Sequence, residues 1–122
     1  MEGTFKVIWA STAYHPRNRE GVENIQVTLR DVVLKSFAPR LSQSGFPYVG
    51  SQSFVCTLFG AEAEAFNIPI NSWVTAQLSF TAKQSQNGGY FQNISLVRCS
   101  LITNDDWAKG LDQRAASVEQ QL

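Results

Sequence analysis

Three stretches of this sequence set flat rings beside fixed cations. Tyr14, Arg17 and Arg19 fall within six positions. Lys35, Phe37, Arg40, Phe46 and Tyr48 share the stretch from 35 to 50. Trp73 stands on the polar face of an alternating segment, and Lys83, Tyr90 and Arg98 flank an Asn-Gly turn. A ring face stacks on other planar π-systems, and each nucleobase stacked this way is worth ~1–3 kcal/mol. Ammonium and guanidinium groups neutralise phosphates and release their counterions. Rings and cations together are what a single polynucleotide strand requires of a surface. The same rings can instead anchor their loops to a core, and a lone surface cation can simply be solvated.

Catalytic chemistry finds less to work with. His15 is the single histidine, and it stands in a polar loop with no evident partner for nucleophilic catalysis. Gly88-Gly89 reads as a hairpin turn rather than a phosphate loop. Glu62 and Glu64 lie two apart on a helix and so face different ways. Cys56 and Cys99 have no metal-ligand spacing and read as buried, reduced core residues. The expectation is a binding protein without enzymatic activity, metal or cofactor.

The elements that would carry these residues follow from hydrophobic periodicity. Gly3 to Ala10 alternates with Phe5, Val7 and Trp9 on one face and predicts a first strand. Ser11 to Glu23 contains Pro16 and Gly21 and reads as a loop. Asn24 to Leu34 predicts a second strand with Ile25, Val27 and Leu29 inward. Its phase breaks at Asp31, so a bulge near Arg30-Asp31 would return the apolar residues to the core. From Lys35 to Gly50, two prolines, two glycines and several serines argue against long regular structure. That stretch reads as the extended tip of a hairpin.

The stretch from Ser51 to Ile102 is more sharply patterned. Phe54 to Phe59 is a strand closed by Gly60, and Ala61 to Phe66 has the composition of a helix that Pro69 stops. From Trp73, strict alternation puts Val74, Ala76, Leu78, Phe80 and Ala82 on one face. Gln86-Asn87-Gly88-Gly89 supplies a turn, with Asn-Gly suited to positive φ at both central positions. Tyr90 to Ile102 returns as a strand, and Tyr90 and Phe91 must point to opposite faces. Residues 104 to 122 predict a helix capped by Asn104 or Asp105, with Trp107, Leu111, Ala115, Val118 and Leu122 as its apolar stripe.

The chain of 122 residues suits one domain, read here as residues 1–103 with a helical extension at 104–122. Net charge is zero, which argues against strong non-specific attraction to polyanions. The body to residue 103 carries a net +2 and the extension a net −2. No signal-peptide pattern and no apolar run near ~18 residues appears, so a soluble protein of the cytoplasm (of a host, if viral) is expected, without a membrane partner.

The order strand, strand, strand, short helix, strand, strand is that of an all-β, five-stranded Greek-key barrel, the OB-fold. A plain antiparallel sheet with one packed helix is the main competitor. The segment from Ser53 to Ile102 resembles the single-stranded-DNA-binding OB-fold proteins of bacteria and their phages. The resemblance lies in Leu58-Phe59-Gly60, in Glu62 to Asn67, and in Asn87-Gly88-Gly89-Tyr90-Phe91. It implies sequence-independent binding of single-stranded DNA, or RNA, by a homo-oligomer that works in replication, recombination or repair and can meet replication or phage proteins. The sequence departs from the standard members in lacking a Gly/Pro/Gln-rich linker and in reading Val118-Glu119-Gln120-Gln121-Leu122 where they carry an acidic tip. The alternative is a structural or protein-interaction module on the same barrel, such as a phage accessory or assembly component, without nucleic-acid binding.

Overall fold

Alternating apolar residues close the chain into a barrel. The computed structural model describes the backbone of residues 1–84 and 86–121, and their side chains except at 38–40, 47–49, 83, 90–92 and 117–121. Strands β1 (Glu2–Ala10), β2 (Leu29–Leu41), β3 (Pro47–Phe59), β4 (Trp73–Gln84) and β5 (Tyr90–Leu101) follow the spatial order β1-β2-β3-β5-β4, and β4 returns to β1. Helix α1 (Gly60–Ala65) joins β3 to β4, and helix α2 (Asp105–Gln121) follows β5. This is the OB-fold expected from the element order.

The inward positions are filled by Phe5, Val7, Val32, Leu34, Phe54, Cys56, Leu58, Val74, Ala76, Leu78 and Leu96. Phe5 and Phe54 meet edge to face at 5.8 Å. Such a pair adds about 0.5–1.5 kcal/mol beyond its buried area. Cys56 is buried and Cys99 partly so, and both are free thiols. Burial pushes each thiol up to about 11, with the neighbouring Cys99 adding to the shift of Cys56.

Helix α1 plugs one end of the barrel. Gly60 enters it at φ +63°, a conformation that costs a glycine nothing, and its N–H donates to Thr28 O at 2.9 Å. Ala63 is fully buried against the core. Arg30 stands on the inward side of β2 at this end. Its Nε donates to Ala63 O at 2.6 Å, its guanidinium to Ser11 O at 2.8 Å, and its plane lies 5.7 Å from the Phe66 ring. Arg30 is therefore a structural cation that locks the plug to the first loop. Arg30→Met is expected to cost about 1.5–3 kcal/mol, the range for hydrogen bonds to a charged group. A urea titration followed by circular dichroism checks this.

Several strand details differ from the sequence expectation. The β2–β3 register runs unbroken from Leu29↔Phe59 to Leu41↔Pro47, so no bulge exists at Arg30-Asp31. The slips fall between Val7 and Trp9 in β1 and between Gln77 and Leu78 on β4, opposite Val97. Ile25 and Val27 precede β2 rather than forming it, and Ile25 is exposed. The stretch from 35 to 50 is regular: β2 and β3 continue through it as a two-stranded arm, and only 42–46 form its tip. Pro39 is tolerated because β1 leaves β2 at Lys35, so the edge beyond has no ladder to break. In the turn after β4 Gly88 takes positive φ (+85°) and Asn87 does not. Phe80 and Ala82 leave the barrel with their arm and are exposed, although Phe80 still meets Phe54 at 6.1 Å.

Candidate functional site

The slip in β1 decides which rings face outward. With Ile8 as an extra residue, Trp9 leaves the face of Phe5 and Val7 and pairs with Val33 on the outside of the barrel. It is 49% exposed, not a core residue as the simple alternation predicts. Val33 pairs in turn with Val55 of β3, which is 63% exposed. Trp9, Val33 and Val55 thus form one row across three strands.

A parallel row lies four residues along, beyond the Asp31–Thr57 pair. Tyr14 bridges to Leu29, and Leu29 pairs with Phe59, which is 54% exposed. Phe59 faces out because Phe54, Cys56 and Leu58 take the inward positions of β3. The Tyr14 hydroxyl donates to both carboxylate oxygens of Asp31, at 3.1 and 3.2 Å, which fixes its ring on this wall. Partial burial, then that hydrogen bond and the Asp31 charge, hold the phenol above its ordinary value.

On the other side of Trp9 lies a third row. Lys6 of β1 pairs with Lys35 of β2, which pairs with Ser53 of β3. Like charges directly opposite on neighbouring strands repel. The Lys35 ammonium also lies 5.4 Å from the Phe37 ring. Phe37 is half-buried and packs at 5.7 Å on Trp73. The outer wall of β1, β2 and β3 therefore carries three accessible rings, two valines and the in-register cations Lys6 and Lys35, with Asp31 bound to Tyr14.

The remaining predicted residues distribute unevenly. Trp73 is 4% exposed, too buried for the stacking role expected of it, and contributes only to the floor of a cleft beside α2. Its outer position on β4 is covered by α2: Leu111, Ala115 and Phe37 pack on it, and its Nε1 donates to Asp112 at 2.7 Å. Arg17 is engaged within its own loop, donating to Gly21 O at 3.0 Å and pairing with Glu23 at 4.0 Å. Arg19 is exposed on the same loop. Phe46 is 71% exposed at the tip of the arm, remote from the rows just described. Arg98 is exposed on β5 opposite Gln77, on the wall formed by β4 and β5. The side chains of Arg40, Tyr48, Lys83 and Tyr90 lie outside the described residues, as does the outer part of the α2 stripe at Val118 and Leu122. His15 is a loop brace: its Nδ1–H donates to Val27 O at 2.8 Å.

Sequence reasoning thus missed Trp9, Phe59, Val55 and Lys6. Phe59 and Val55 were readable, since Phe54, Cys56 and Leu58 alternate with them. Trp9 was not, because nothing in Val7-Ile8-Trp9 marks the slip.

No family model and no curated protein matches this sequence. The fold is similar to that of the single-stranded DNA-binding protein from Thermus aquaticus. A deletion mutant of that protein gives a TM-score of 0.55 at 10% identity, over 84% of this chain and 49% of that one. The wild type gives 0.54 at 9% identity, over 84% and 50%. This chain spans about half the length of those proteins. The small single-stranded DNA-binding protein from Streptomyces coelicolor gives 0.48 at 10% identity, over 84% and 93%. At these identities the likeness is one of fold.

Proposed function

We propose that this chain binds single-stranded DNA without sequence preference, on the outer wall of β1, β2 and β3. The observation that carries the reading is the company of Trp9, Tyr14 and Phe59 with the in-register pair Lys6 and Lys35 on that one wall. Exposed rings stack on any base, whatever its identity. A phosphate placed between Lys6 and Lys35 relieves their mutual repulsion. The strand 2–3 face and the first loop are also where OB-folds take oligonucleotides. The fold is shared with proteins named for single-stranded DNA binding, which supports the reading. Phe37 extends the surface at its margin, next to Lys35. A homo-oligomer would lengthen the short track that one barrel offers.

The test is a titration of the full chain with labelled oligo-dT and with the matching duplex, following tryptophan emission. Binding to the single strand alone, with quenching, is the expected result. Because cations on the wall are few, the salt dependence is expected to be shallow. Each neutralised phosphate contributes about −0.7 to the slope of log K against log salt, and fewer than about five are expected per chain. A steeper slope would place the strand elsewhere. No binding to either oligonucleotide at low salt would sink the reading and give the apolar wall to a protein partner.

A further inference from the structure

One of the concave features beside the proposed wall is continuous with it. Between α2 and the barrel runs a cleft of about 380 Å³, lined among others by Phe37, Asp106, Trp107, Leu111 and Arg114. We infer that this cleft is a nucleotide subsite: one base of the bound strand stacks on Trp107, and its phosphate meets Arg114. The inference rests on the single-strand reading and carries the track from the strands onto the helix.

Continuity is the first argument. Lys6 pairs with Lys35 on one side and with Trp73 on the other. Residues 33, 35 and 37 are successive outward positions of β2, so Val33, Lys35 and Phe37 form an unbroken line from the Trp9 row to the cleft. The Lys35 ammonium lies against Phe37 at the entrance. A strand on the ring-bearing wall reaches the cleft past two cations without crossing a sheet edge.

Chemistry is the second. Leu111 and Ala115 hold the helix down, whereas Trp107 is 47% exposed and is not needed for that packing. A cleft of this size lies within the usual range for small-molecule sites, about 300–1,000 Å³. Its two charges set the direction of the occupant. Arg114 attracts a phosphate, while the Asp106 carboxylate repels one and accepts hydrogen bonds from the N–H edge of a base. Asp112 is already held by Trp73 Nε1 and does not compete.

The experiment compares oligo-dT of about 4 and about 15 nucleotides, the span of site sizes seen for single OB-folds. The proteins are wild type, Trp107→Ala and Arg114→Ala, each checked by thermal melting. The short oligonucleotide seats on the three-ring wall, and the long one also enters the cleft. Trp107→Ala is expected to weaken the long oligonucleotide about tenfold, the loss of one stacked base, and to leave the short one unchanged. In a Trp9→Phe background, quenching is expected with the long oligonucleotide only, since the remaining emitters are buried Trp73 and Trp107. Equal affinities for all three proteins, or equal losses at both lengths, would overturn the subsite while leaving the wall intact. Failure of the wild type to bind either length would overturn both.

Discussion

Replacing Trp9 and Phe59 together by alanine is expected to weaken binding of a long oligo-dT by at least about thirtyfold, with little change in melting temperature. Each ring offers one stacking face, and two lost stacks at ~1–3 kcal/mol apiece give that factor at their lower limit. The fold survives because neither ring belongs to the buried cluster inside the barrel, and exposed positions of this kind usually change stability by about 0.5 kcal/mol or less. Trp9 is the sharper probe of the two, since it faces outward only because of the slip in β1. Fluorescence anisotropy with labelled oligo-dT measures the effect. Arg98→Ala serves as control: it lies on the β4–β5 wall, and less than about a threefold loss is expected there. A double variant that binds like wild type would remove this wall as the interface.

Trp73→Ala is expected to act on stability instead. The ring is buried beneath α2, and a buried large aromatic cut to alanine costs about 3–5 kcal/mol. For a chain of this size that corresponds to a fall of roughly 10–20 °C in melting temperature. The substitution removes the platform on which Phe37, Leu111 and Ala115 pack and leaves Asp112 without its indole donor. Trp73→Phe separates the two contributions: it keeps most of the packing and loses only the hydrogen bond to the exposed Asp112, worth about 1 kcal/mol. Its affinity for oligo-dT should stay close to wild type. If Trp73→Phe melted normally yet bound tenfold more weakly, Trp73 would be a contact residue after all.

Much of the barrel is legible in the sequence because small barrels alternate strictly. Val74, Ala76 and Leu78 read inward and are inward. Gly60 and Pro69 bracket the short helix, and Asn104 caps α2 as expected, its Oδ1 accepting from Trp107 N at 3.0 Å. Legibility fails where the reason is not local. In β1 every residue near the slip is apolar or large, so either phase satisfies the pattern, and only pairing with Val33 selects one. Trp73 sits on a face that looks polar, because Thr75, Gln77 and Ser79 share it; what covers the tryptophan is a helix three dozen residues away. Pro39 and Pro47 look like breakers, yet among the described residues no further strand pairs with the arm that holds them. Of the rings in the stretch from 35 to 50, Phe37 is half-buried against Trp73 and Phe46 is exposed at the tip of the arm.

The closure of the barrel also has a consequence in time. β3 and β5 meet in parallel at a single point, Thr57 with Ser95, and β1 pairs both with its successor β2 and with distant β4, Glu2 opposite Gln77. Hairpins between chain neighbours can form as soon as both strands exist, while these two joints wait for the far end of the chain. During synthesis the first three strands are thus an open strip with Phe5, Val7, Val32, Leu34 and Phe54 facing water. Until β5 emerges they have no inside to occupy, and the nascent chain must be kept from finding another strip like itself.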